Sequence, residues 1–221
     1  MNHNSSPYKE NVMKLWTFQT ANVAKMIKAG NEYICNPKLS TLLYDEEDSG
    51  CEEMFFRGYN YIAEKLEEIS PKPKDAVYPV WSWYSTEDVP AQEIIQYFKE
   101  GYQESTENFV LIELEVPDNE VLLSNFAAFH DVLNNHTSEN DSYFLNVCNS
   151  HGCDEYEYDG NQLWCEIHWK EVFDLMDQAT EEEKKSSWNK YVIDNIDYDA
   201  DFIQACFWKI TPEQVISYNE M

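Results

Sequence analysis

Three cysteines and two histidines fall within CNSHGCDEYEYDGNQLWCEIH, residues 148–168. Such a density of thiol and imidazole raises zinc binding. The spacing is Cys-x2-His-x-Cys followed by Cys-x2-His, which matches no ordinary finger or ribbon. Asp159-Gly160, between YEY and NQLW, is also the strongest short hairpin signal in the chain, a two-residue type I′ turn. If Tyr158 pairs with Asn161, antiparallel register sets Cys153 opposite Glu166 and His151 opposite His168, and sends Cys153 and Cys165 to opposite faces. The metal set this allows is His151, Cys153, Glu166 and His168, with the plain hairpin favoured over zinc. A calcium-loop alignment through Glu155, Glu157, Asp159, Gly160 and Glu166 departs at its first place, where Glu stands for Asp.

Other chemistry-bearing residues have structural readings beside the functional ones. His130 falls on an apolar helical stripe, where a hydrogen-bonded core histidine is favoured over a catalytic base. Cys206 lies on an apolar strand and reads as a small buried hydrophobe. Glu113 and Glu115 share one face of a strand and could act as a carboxylate pair, against a solvated face. No GxSxG elbow and no local cysteine-protease signature is present. YPVWSWYSTEDVP, residues 78–90, concentrates Trp81, Trp83 and Tyr84. Strand alternation puts both indoles on one face and Tyr84 on the other.

Charge limits the partners. The 221 residues include 42 acids against 15 bases, a formal net charge of −27, which opposes direct nucleic-acid binding. The acids are spread through the chain, so the expected partner is a basic protein, such as a nucleic-acid-handling protein whose groove an acidic inhibitor or adaptor would fill. A phage or defence context would suit that role. Arg57 is the one arginine, so at most one guanidinium clamp on phosphate exists. No stretch approaches the roughly 20 apolar residues of a membrane span, and MNHNSSPYKENV has no secretory segment. The expectation is a cytoplasmic protein whose six cysteines are thiols.

The elements that must position these residues follow from periodicity. Residues 1–12 are polar and expected as a flexible extension, with a single domain over 13–221. MKLWTFQT (13–20) reads as a strand, followed by a helix from about Thr20 to Ala29 stopped by Gly30. Residues 52–69 align Phe55, Tyr59, Ile62, Leu66 and Ile69 on one helical stripe. FVLIELEV (109–116) is the clearest strand, with Val110, Ile112, Leu114 and Val116 inward. Ser124 is expected to cap the helix carrying Phe126, Phe129, His130 and Leu133. Trp169, Val172, Phe173 and Met176 form another helix seam, and Thr180 with Glu183 a capping box. FIQACFWKI (202–210) reads as a central strand, and Thr211-Pro212 opens a short last helix. Residues 91–103 read as a helix or an active-site lid. Irregular alternation of strands and helices, with six glycines in all, implies an α+β fold with a mixed or antiparallel sheet flanked by helices, not a nucleotide fold of the Rossmann or P-loop type.

MKLWTFQT, YPVWSWY, LIELEVPDNEVLLSNFAAFHDVLNN, WKEVFDL and QACFWKI, in this order over about residues 13–216, resemble the bacterial and phage family catalogued as domain of unknown function 3841. A weaker likeness, of order and style, is to ADP-ribosyltransferase-like domains. That second resemblance implies a split β-sheet with a nicotinamide-nucleotide cleft and NAD as cofactor. Its cofactor-binding candidates here are Gln19, Trp16 and Tyr84, and its catalytic candidates Gln204 and Tyr84. Gln204 stands where such domains carry an acid or amide, and no Arg or His stands beside Gln19. Glu113 or Glu115 could substitute for the missing carboxylate. The expected pocket is a hollow lined by Gln19, Tyr84 and Gln204, suited to an amide-bearing base.

Overall fold

The computed structural model of the protein describes residues 11–36, 52–86, 94–96, 108–138, 140–151, 170–198 and 202–220. The fold is α+β, built on a six-stranded antiparallel sheet and a two-stranded one. The chain divides into two compact units, one drawn from Met1–Thr41, Tyr59–Leu123 and Tyr198–Met221, the other from Leu42–Gly58 and Ser124–Asp197.

The first unit starts with β1 (Val12–Thr20), a nine-residue alternating strand, and α1 (Ala21–Lys28). Thr20 ends the strand and caps the helix, its side chain accepting from Val23 N at 3.4 Å. Gly30 closes α1 with φ +88, a backbone conformation that side chains beyond glycine resist. β2 (Tyr33–Ile34) then pairs with β7 (Lys209–Ile210). The longer strands β3 (Val80–Tyr84), β4 (Phe109–Pro117), β5 (Leu122–Asn125), β6 (Ile203–Phe207) and β8 (Val215–Glu220) complete the large sheet in the order β5-β6-β3-β1-β4-β8.

Alternation assigns the faces. Leu15, Val80, Val110, Ile112, Leu114, Val116, Ala205 and Phe207 form one buried cluster with Ala24 and Ile27 of α1. The periodicity of FVLIELEV is thus realised, with Ile112, Leu114 and Val116 wholly buried. Polar groups on the same face are satisfied locally: Thr17 Oγ1 donates to Trp81 O at 2.7 Å, and Ser82 Oγ to Ala205 O at 2.7 Å.

α2 (Glu52–Ile69) buries Ile62 and Leu66 completely, as its stripe requires, but Ile69 in the terminal turn is 46% exposed. Tyr59 of α2 packs its ring 5.3 Å from that of Trp81 and 5.4 Å from that of Tyr78. Trp208 Nε1 donates to Ser70 O at 2.9 Å just beyond the helix end.

The second unit holds α3 (Phe126–Asn134), α4 (Asn140–Ser150), a helix α5 over residues 170–176, and α6 (Glu181–Trp188), which continues into a π-helical stretch at Asn189–Asp194. The expected cap Ser124 stays in β5. Asn125 caps α3 instead, its side chain accepting from Ala128 N at 2.9 Å, because Asn125 is the last residue with extended backbone before the helix. His130 is exposed, not in the core, with Nδ1 2.9 Å from Phe126 O. The Thr180–Glu183 capping box forms as read, and hydrogen bonds from Thr180 lower the Glu183 pKa. Of the expected α5 seam, Val172 and Met176 are buried and Phe173 is 42% exposed. Trp169 lies outside the described residues.

At Gly58, α2 approaches α3 closely. A Cβ there would stand 2.5 Å from Leu133 Cδ2 and 2.7 Å from Phe129 Cζ. Both side chains are buried in α3. Gly58→Ala is therefore expected to destabilise by about 1–3 kcal/mol through overpacking, which exceeds the roughly 1 kcal/mol that Ala gains in helix propensity. Chemical denaturation checks it, and a stabilised variant would contradict the close approach.

Candidate functional site

The sheet register decides which expected site residues share a surface. Directly paired residues of neighbouring strands point the same way, and consecutive residues point oppositely. Trp16 pairs with Trp83, Trp83 with Gln204, Trp16 with Glu113, and Glu113 with Ser217. One row therefore runs Gln204, Trp83, Trp16, Glu113, Ser217 across β6, β3, β1, β4 and β8, on the face opposite the large core cluster.

The hollow expected from Gln19, Tyr84 and Gln204 is not formed. Leu15 pairs with Tyr84 and Tyr84 with Ile203, so Tyr84 and Gln19 share the core side while Gln204 projects from the other. Gln19 Nε2 donates to Thr17 Oγ1 at 2.9 Å, which engages its amide in local structure. Tyr84 packs against the core cluster and meets the Tyr198 ring edge-on, centroids 6.3 Å apart. Trp16 and Gln204 remain together, with Trp83 between them. Glu113, read as a carboxylate that could substitute for a missing acid, joins the same row.

Each residue of the row has a definite environment. Trp16 is 3% exposed and Gln204 7% exposed. Gln204 Oε1 is buried and has no hydrogen-bond partner among the described residues. Leaving a buried acceptor unmet costs about 1–3 kcal/mol, so such a group warrants an explanation. At the far end of the row, Ser217 Oγ donates to Glu113 Oε2 at 2.9 Å, and Lys14 Nζ stands 3.6 Å from Glu113 Oε1. Of the two indoles Trp16 is packed almost completely and Trp83 is half-buried; the amide oxygen accepts a hydrogen bond, and the carboxylate accepts several more.

Elsewhere the candidate chemistry is spent on structure or lies outside the described residues. Cys206 pairs with Trp81 and shares its face, and burial pushes its thiol well above the ordinary range, away from nucleophilic thiolate. Burial also raises the pKa of Cys35, which is hydrogen-bonded to Tyr33. Cys35, Cys148 and Cys206 are all thiols. Arg57 donates through Nη1 to Leu133 O at 2.7 Å and pairs with Glu53 at 3.5 Å, so the single guanidinium braces α2. Of the proposed metal set, His151 has Nε2 2.8 Å from Glu171 Oε2. Cys153, Glu166 and His168, with the Asp159-Gly160 hairpin and the calcium-loop alignment, lie outside the described residues. Among the described residues no group of three or more His, Cys, Asp or Glu is placed to hold a metal, and no helix is long and apolar enough to cross a membrane.

Residues 14–216 match the family described as Domain of unknown function (DUF3841). The chain belongs to this family. No curated protein and no solved structure matches it, so the likeness to ADP-ribosyltransferase-like domains gains no support. The matched span of this DUF3841 chain includes Lys14, Trp16, Trp83, Glu113 and Gln204, and stops one residue short of Ser217.

What sequence reasoning missed is β8 and, with it, the Ser217 contact to Glu113. VISYNE is short, half polar and preceded by a proline, which weakens any strand signal. The opposition of Trp16 and Gln19, by contrast, was available from parity alone, since an odd separation along a strand always changes face.

Proposed function

We propose that this domain binds a flat aromatic base bearing an N–H donor, of the nicotinamide or adenine kind, on the face that carries Trp16 and Trp83. The observation that supports this reading is the buried Gln204 Oε1, without a partner among the described residues, in register with two indoles. An amide oxygen in that position is an acceptor that selects a donor on the ligand, and the half-buried Trp83 ring beside it supplies the apolar contact. Nicotinamide offers its carboxamide NH2 and adenine its exocyclic amine. The proposal extends to binding of a nicotinamide nucleotide and stops short of ADP-ribose transfer. Chemistry at a glycosidic bond needs a carboxylate beside the sugar carbon, and Gln204 is an amide.

Gln204→Leu tests it. The substitution keeps the volume and removes the unmet acceptor, so the unfolding free energy is expected to rise by about 1 kcal/mol. The rise in melting temperature that nicotinamide or adenine produces in the parent protein is expected to vanish. Absence of any ligand-induced shift in the parent protein would end the reading.

The net charge of −27 favours a second reading, a non-enzymatic acidic inhibitor or adaptor for a basic nucleic-acid-handling protein. Retention of such proteins from lysate on the immobilised domain, released by moderate salt, is the expected result. Salt-insensitive retention, or none, removes it.

A further inference from the structure

The large sheet has two edges. β5 is the shorter, with Leu122, Ser124 and Asn125 buried and α3 following at once. β8 is the other, paired on one side with β4. Alternate residues of an edge strand turn their N–H and C=O away from the sheet. Among the described residues, the backbone of residues 216–219 bonds to β4 and to no other segment. VISYNE contains neither Lys nor Pro, the residues that blunt an edge, and Ile216 is 47% exposed. The two faces of β8 differ. Ser217 lies on the side of Glu113, to which its Oγ donates at 2.9 Å, whereas Val215 and Tyr218 pack on the core side. The exposed Glu115 and Glu213 flank the start of the strand, and Lys14, 3.6 Å from Glu113, opposes them.

We infer that the β8 edge receives an extended basic peptide of a partner protein as an added strand, with Lys or Arg at alternate positions and apolar residues between them. Main-chain hydrogen bonds to β8 supply affinity, and the alternation follows from the two faces. Side chains of one parity fall beside Ser217 and Glu113, those of the other beside Tyr218. Charge selects this occupant over a second copy. Another β8 would bring no basic residue and would set one chain of net charge −27 against another, so the field that guards the edge against self-pairing attracts a basic strand. The inference rests on the acidic-adaptor reading and adds the surface and the form in which the partner is held.

Calorimetry measures the binding of an end-blocked heptapeptide of alternating lysine and valine to the full chain. Its isomer with the lysines clustered at one end carries the same charge and is expected to bind about tenfold more weakly. Two versions N-methylated on alternate residues are expected to separate. The one whose methyl groups face β8 loses binding, and the other keeps it. Asn219→Lys, at an exposed position of the edge, should weaken binding about tenfold. Gln178→Lys, the same charge change at an exposed position of the other unit, should change it less than about threefold. Equal binding of both isomers and both N-methylated peptides would mean attraction by charge alone, which overturns the added strand and leaves the adaptor reading standing. No binding of the alternating peptide also overturns the inference, and retention from lysate then decides the adaptor reading by itself. A concentration-dependent dimer of the parent chain, abolished by Asn219→Lys, would give the edge to a second copy and overturn the inference as well.

Discussion

Trp188→Ala is expected to lower the unfolding free energy by about 3–5 kcal/mol, the range for deleting a buried large aromatic side chain. Trp188 is 2% exposed at the end of α6, and its Nε1 donates to His136 O in the loop after α3. Ser187 Oγ accepts from Ser138 N at 2.7 Å in that same loop. The tryptophan therefore fills volume and satisfies a carbonyl that would otherwise lose its donor. Trp188→Phe keeps most of the ring and deletes the N–H, so about 1–2 kcal/mol is expected from it. The difference between the two variants in chemical denaturation separates packing from hydrogen bonding. A loss below about 1 kcal/mol for the alanine variant would contradict the burial.

Ile112→Ala is expected to cost about 2–5 kcal/mol and Ile112→Val about 1 kcal/mol. Ile112 is fully buried on β4, paired with Thr17 of β1 and Tyr218 of β8, in the apolar cluster that joins the sheet to α1. Its neighbour in sequence, Glu113, points to the opposite face. The two variants thus change the core without touching the row that ends in Glu113. Ile112→Val should leave ligand affinity unchanged while lowering stability. A loss of binding in this conservative variant, at unchanged secondary structure, would mean that the binding residues lie on the core side after all.

The comparison with sequence reasoning is instructive residue by residue. Strong periodicity survived folding: β1, α1, α2, β4 and the Thr180–Glu183 box lie within a residue or two of where alternation and capping chemistry put them. Weak signals did not. β8 has no long apolar run, and its pairing with β4 involves a register shift at Glu113 and Leu114. The cap of α3 moved from Ser124 to Asn125 because two adjacent residues can both accept from the helix, and Asn125 is the one whose extended backbone directly precedes the first helical residue. His130 left the core because a stripe of four positions spans more arc than the buried side of a short helix.

The candidate site shows the same division more sharply. Which residues could recognise a base was legible from type alone: indoles stack, amides pair, carboxylates accept hydroxyls. Local alternation also fixed relative direction within a strand, so Trp16 and Gln19 were opposed from the start. Joining β1 to β6 through β3 was beyond it, because strand order and register depend on contacts between residues more than 60 positions apart, such as Thr17 with Trp81. Composition and local pattern determined an acidic α+β protein with its aromatic strands and the Thr180–Glu183 capping box. Only the tertiary register decided that Gln204 stands with Trp16, Trp83 and Glu113, and not with Gln19 and Tyr84, since a shift of one residue in any pairing would send every side chain of that strand to the other face.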